Sequence, residues 1–240
     1  MEIIDEIIFL VITFTGGVIS STFGMGGSFL IIPLSVLFIP VKKVIALVTV
    51  FYLVSDITKF VVFRKYVDWK LVNLIWLGAV PGVLVGAFGM VFIPAKTVEK
   101  ILGIVVLLYV MDTFFGLTRK IKISNLTVVI SGLVYGLLAG MVGSGGGTIK
   151  AAVFLHLGLR KERFVGSMAL SAILINLIKI VIFSRYSLIS GSDLPVIGLL
   201  IIVAVIAALT GKSFVRKISP VVFEKVIMAI LLVAGIKLIA

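Results

Sequence analysis

Charged positions are missing from this chain over stretches far longer than one face of a soluble helix. Ile45–Ser55, Val72–Pro94 and Leu194–Gly211 contain no Asp, Glu, Lys or Arg. A helix crosses the hydrocarbon core with roughly 20 mostly apolar residues. The pattern predicts spans over 3–22, 44–63, 71–92 and 97–117, and a second series over 125–141, 164–184, 194–211 and 219–239. Each series is interrupted after its first span. A glycine-rich break at 23–28 precedes a short apolar piece at 29–39, and a break at 142–147 precedes one at 148–158. A piece of about eleven residues reaches roughly 17 Å, about half of the hydrocarbon thickness. These pieces are therefore predicted to be half-helices, and the whole an all-α polytopic membrane protein.

The two series are related. FGMGGSFLIIP (23–33) aligns with VGSGGGTIKAA (142–152) at an offset of 119, and SDITKFVVFRKY (55–66) with INLIKIVIFSRY (175–186) at an offset of 120. The second alignment pairs Lys59 with Lys179, Phe63 with Phe183, Lys65 with Arg185 and Tyr66 with Tyr186. Collinear matches of this kind divide the chain into a first repeat over 1–118, a basic cytoplasmic linker at 119–124 and a second repeat over 125–240, together one transport domain. If the first helix and the half-helix form a returning pair, each repeat crosses the membrane an odd number of times and the two are inverted. Basic residues collect on the cytoplasmic side. With the acidic N-terminus outside, the inverted arrangement puts Arg64, Lys65, Lys70, Arg119, Lys120, Lys122, Arg160, Lys161, Arg163, Lys212, Arg216 and Lys217 inside. It leaves Lys42, Lys43, Lys96, Lys100 and Arg185 outside, twelve against five; a parallel arrangement gives ten against seven. Inverted repeats with both termini outside the cell membrane are the expectation.

Composition adds little to this and removes several alternatives. Of 240 residues, 61% are hydrophobic and 13% charged, about half the charged share of a soluble domain. The net charge of +12 is accounted for by cytoplasmic loops and needs no nucleic acid. Glu2, Asp5 and Glu6 precede the first apolar run without any basic residue, so that run is expected to be a retained span and not a cleaved signal. There is no cysteine, and no cluster of His and carboxylates suggests a metal site.

The candidate chemistry lies at the breaks. Lipid cannot satisfy backbone groups freed by a broken helix, so such breaks occur where protein or a water-filled cavity does so. Interrupted segments at corresponding positions of two halves point to a transporter's binding site. Gly24, Gly26 and Gly27, then Gly143, Ser144, Gly145, Gly146 and Gly147, form the two breaks. Each is followed by a half-helix start whose N–H groups favour an anion, with Ser28 and Thr148 placed to cap the helix or donate hydroxyls. Lys150 stands in apolar surroundings where the first repeat has Ile31, as a binding charge or as a lysine snorkelling to the interface. Asp56 and Lys59 lie one turn apart, and Asn176 and Lys179 take their places in the second repeat. They, with Thr49, Asp112, Ser167 and Ser171, are candidates for the path or for coupling to a proton or sodium ion. His156 is expected at an interface, and Gly132, Gly136 and Gly140 in helix packing.

These residues resemble the TauE/SafE family of sulfite and organosulfonate exporters. The family has a repeated Gly-x-Gly-Gly-Gly element followed by Pro-Leu, then a small-residue signature of the form Ala-x-Gly-Thr. Here the first repeat reads GMGGSFLIIPL and then ALVT (46–49); the second reads GSGGGTIKAAV and then FVGS (164–167). Ser28 and Ala152 replace the last glycine and the proline, and Lys150 stands outside the pattern, which suggests a subgroup with a different ligand charge. The resemblance implies transport of small sulfur anions or related carboxylates without ATP hydrolysis and without a cofactor. An anion channel, a carrier for a small carboxylate or another ion, and a non-transport membrane subunit or intramembrane enzyme are the alternatives. The last would need an acid–base pair that the sequence does not bring together.

Overall fold

The computed structural model describes residues 3–23, 27–115, 124–143, 146–159, 161–214, 232 and 235–238. Helices α1 (Ile3–Phe23), α2 (Gly27–Ser35), α3 (Val41–Phe63), α4 (Trp69–Phe92) and α5 (Ala95–Phe115) form the first half. Helices α6 (Asn125–Met141), α7 (Gly146–His156), α8 (Lys161–Arg185) and α9 (Leu194–Phe214) belong to the second. Among the described residues there is no strand. Among the described residues, five segments are long and apolar enough to cross a bilayer: Ile3–Thr22, Val41–Tyr66, Trp69–Phe92, Glu162–Arg185 and Gly191–Gly211. The predicted span over 219–239 lies outside the described residues apart from a few positions.

Local signals set the starts. Asp68 caps α4 by accepting the Leu71 N–H at 3.1 Å, and Ser124 caps α6 by accepting that of Thr127 at 3.2 Å. Ser190 and Asp193 form a reciprocal capping box just before α9. The two short helices begin earlier than the sequence suggests, at Gly27 and Gly146 and not at 29 and 148. Gly27, Gly146 and Gly147 are thus first-turn residues and not part of the break. Glycine costs little in a first turn, where few intrahelical bonds are yet made.

Each half begins with a helix and a short partner. α2 folds back along α1: a Cβ on Gly27 would lie 2.8 Å from that of Ser20, and one on Gly16 would fall on the Ile31 side chain. α3 then runs antiparallel to α2, with Tyr52 beside Gly27 and both Ile45 and Ile32 packed on Gly143. The strongest packing joins one half to the other. α3 crosses α8, α4 lies along α6, and α1 lies along α9. Exchanging the halves maps α1 with α9 onto α6 with α4, and α3 with α9 onto α8 with α4.

The α4–α6 pair shows why glycines are spaced by four on both helices. A Cβ on Gly78, Gly82 or Gly86 would fall on the backbone of Val129, Leu133 or Leu137, and one on Gly132 or Gly136 on the backbone of Ile75 or Ala79. The two backbones touch directly and run in the same direction, a seam that larger side chains would open. The Gly132, Gly136 and Gly140 series packs as the sequence suggests, against a matching series on α4. Outside this bundle, Ile3, Ile4, Leu77, Val85, Phe92, Leu126 and Val181 are each more than half exposed. On a water-soluble protein such a surface would aggregate; around a bilayer-crossing bundle it contacts lipid.

Candidate functional site

A cavity of about 100 Å³ lies where α3 crosses α8, bounded by the starts of α2 and α7. Drug-sized pockets run to roughly 300–1,000 Å³, so the space suits a small ion. Gly27, Ser28, Gly143, Gly147, Thr148 and Lys150 of the breaks and half-helices line it. So do Thr49, Asp56, Lys59, Asn176 and Lys179 from α3 and α8. The structure therefore brings most of the sequence candidates to one place. Gly24, Gly26, Ser144 and Gly145 lie outside the described residues, as does the side chain of Asp112.

The cavity's charges are deeply buried. Lys150 is 2% exposed, Lys179 3%, Asp56 5% and Lys59 6%. Lys150 does not snorkel. Its Nζ donates to the Ser171 Oγ at 2.8 Å and to the Met168 carbonyl at 3.2 Å, and sits 4.1 Å from the centre of the Tyr135 ring. Lys59 and Asp56 form an ion pair at 2.6 Å, and the Asn176 amide donates to the other Asp56 oxygen at 3.3 Å. This carboxylate thus joins α3 to α8 across the crossing. Lys179 has no carboxylate or hydrogen-bond partner among the described residues; the ring of Phe183 is 5.9 Å away. Among the described residues that line the cavity, three lysine side chains stand against one carboxylate.

Backbone position explains why these side chains converge. Lys59 and Lys179 occupy equivalent places on α3 and α8, and the two helices cross antiparallel, with Gly166 beside Phe63 and Asn176 beside Asp56. Equivalent lysines near opposite ends of crossed helices then reach the same space. Thr49 turns its hydroxyl to the Ile45 carbonyl at 2.7 Å while lining the cavity.

Two candidates do other work. Ser167 accepts the Asp68 backbone N–H at 2.9 Å and so fixes the turn before α4. Ser171 receives Lys150 and donates to the Met168 carbonyl at 2.9 Å, orienting the lysine instead of lining the path. His156 is exposed at the end of α7, its Nδ1 3.1 Å from the Ala152 carbonyl. Ser20, Tyr52 and Tyr135 line the cavity without having been singled out from sequence. Tyr52 is notable because its hydroxyl is buried without a hydrogen-bond partner among the described residues. A tyrosine inside an apolar run signals a hydroxyl that needs a partner, and this was the available clue.

A bundle of bilayer-length helices with a small, buried, charged cavity inside it defines the class: a polytopic helical membrane protein. The chain belongs to the TauE/SafE family, for the family model described as sulfite exporter TauE/SafE matches residues 8–238. That is a family of membrane transporters and not of enzymes. Searches among curated proteins and among solved structures give no match.

Proposed function

We propose that this protein is a secondary transporter of the cell membrane that moves a small sulfur-containing anion, such as sulfite, a thiosulfate-like ion or an organosulfonate, by alternating access. The observation that carries this reading is the surplus of buried basic side chains in a small cavity: among the described residues, Lys59, Lys150 and Lys179 stand against Asp56. A buried charge without a partner is costly, and an anionic solute supplies the partner. Gly27 and Gly147 place the first turns of two short helices at the same cavity, where N–H groups and Ser28 and Thr148 hydroxyls are suited to oxyanion oxygens. In this reading Lys150 contributes binding charge and Asp56–Lys59 with Asn176 closes one side.

The halves are proposed to be inverted, with both termini outside. The back-folded α1–α2 pair supports this, as does the antiparallel crossing of the equivalent helices α3 and α8. The two short helices then approach the cavity from opposite sides of the membrane.

Uptake of labelled sulfite, thiosulfate and organosulfonates into proteoliposomes tests the reading. Saturable flux of at least one sulfur anion, reduced about tenfold or more in Lys150→Ala, is the expected outcome. Absence of flux for every sulfur anion overturns the substrate assignment. Conductance that neither saturates nor exchanges replaces the carrier with a channel. Unchanged flux in the variant removes Lys150 from the mechanism.

A further inference from the structure

We infer that the cavity is built for a doubly charged anion, and that Lys179 is the residue that sets this preference. The inference rests on the transport reading above and names the charge of the solute within it. The three lysines that line the cavity are not equivalent. Lys59 is neutralised by Asp56 at 2.6 Å. Lys150 is not neutralised, but two of its three N–H donors are spent on Ser171 and the Met168 carbonyl, and its ammonium lies against the Tyr135 ring. Lys179 is neither neutralised nor hydrogen-bonded among the described residues, although it is 3% exposed and lines the cavity.

Subtracting the Asp56–Lys59 pair leaves Lys150 and Lys179, both buried and without an ion-pair partner among the described residues. A ligand with one negative charge would leave one of them uncompensated in a low-dielectric space. A ligand with two charges balances both. The donors suit the same division: among the described residues, Lys179 has all three N–H groups and Tyr52 its hydroxyl without a partner, and Lys150 has one donor left. One lysine is held ready by the protein, and the other waits for the ligand. The selectivity therefore belongs to Lys179, because it is the one of the three lysines with neither an ion-pair nor a hydrogen-bond partner among the described residues.

Thiosulfate and methanesulfonate separate charge from shape. Both carry a sulfonyl head with a single further substituent, and they differ by one negative charge at neutral pH. Each is added to the purified full-length protein, and both thermal stabilisation and competition with labelled substrate flux in proteoliposomes are read. The native protein is expected to prefer thiosulfate by at least about tenfold. Lys179→Met keeps the length and apolar stem and removes the charge, and it is expected to bring the preference close to one by weakening thiosulfate alone. Because it removes an unpaired buried charge, it is also expected to unfold at a temperature no lower than the native protein. Lys179→Arg serves as a folded control if the methionine variant is not recovered; it retains the charge and is expected to retain the preference for the dianion.

Equal affinity of the native protein for the two ions overturns the inference while leaving the transporter reading in place. So does an unchanged preference in Lys179→Met, or loss of the preference in Lys179→Arg. A native protein that binds and carries neither ion nor any other sulfur anion overturns the transport reading and this inference with it.

Discussion

At the level of single residues, two glycines on either side of the α7 start have opposite reasons to be glycine. Gly143 has φ of +71° and a Cβ there would lie 2.7 Å from the Ile32 side chain. Gly147 has nothing within 4 Å of the position its Cβ would take, and it lines the cavity. Gly143→Ala is therefore expected to destabilise the fold by about 1–3 kcal/mol, through backbone strain and crowding together. Gly147→Ala is expected to leave the melting temperature within a degree or two and to reduce anion flux, since the new methyl group enters the ligand's space. Thermal unfolding in detergent beside proteoliposome uptake distinguishes them. Equal loss of stability in both would show that the cavity position is structural. Lysines and an aspartate inside apolar runs were legible because membrane depth makes charge conspicuous. Tyr52, Tyr135 and Ser20 were not, because tyrosine and serine are ordinary in membrane helices. Nor could sequence foresee that Ser167 answers to Asp68 and Ser171 to Lys150, since hydroxyl partners depend on which helices meet.

At the level of elements, the apolar runs located the helices to within a few residues, because a bilayer leaves few ways to end one. The short helices were displaced by two residues for a definite reason: glycine permits a first helical turn as readily as it permits a break. The glycine seam between α4 and α6 is the most constrained contact in the described bundle. A Cβ on Gly136 would lie 2.8 Å from the Val83 nitrogen, and one on Gly82 would lie 2.9 Å from that of Leu137. Gly136→Ala and Gly82→Ala are each expected to cost about 1–3 kcal/mol, as overpacked sites do. Gly198→Ala on α9 meets nothing within 4 Å and is expected to be neutral or slightly stabilising, by up to about 1 kcal/mol from helix propensity. Unfolding midpoints of the three variants test the contrast. A seam variant as stable as Gly198→Ala would mean that α4 and α6 are not in backbone contact.

At the level of the whole molecule, the repeat in the sequence does not correspond to two bodies in space. α1 is partnered by α9, α3 by α8 and α4 by α6, so each half supplies half of the other's packing. Co-expressed fragments 1–118 and 125–240 are expected to purify as a complex, with neither stable when expressed alone. A first half that purifies as a folded monomer would contradict the interlaced packing. The seam also bears on motion. It ties α4 of one half to α6 of the other, so a swing of one entire half against the other would have to tear it. Any alternation of access must pass around this pair, with the α3–α8 crossing as the more adaptable contact.

The same seam has a consequence during synthesis. α4 leaves the ribosome well before α6 exists, and α1 waits still longer for α9. Until then α4 presents to the insertion machinery or to lipid a stripe of bare backbone with no side chains to cover it. The first five helices must be held in the membrane as an unfinished assembly, and the protein becomes itself only when its second half arrives.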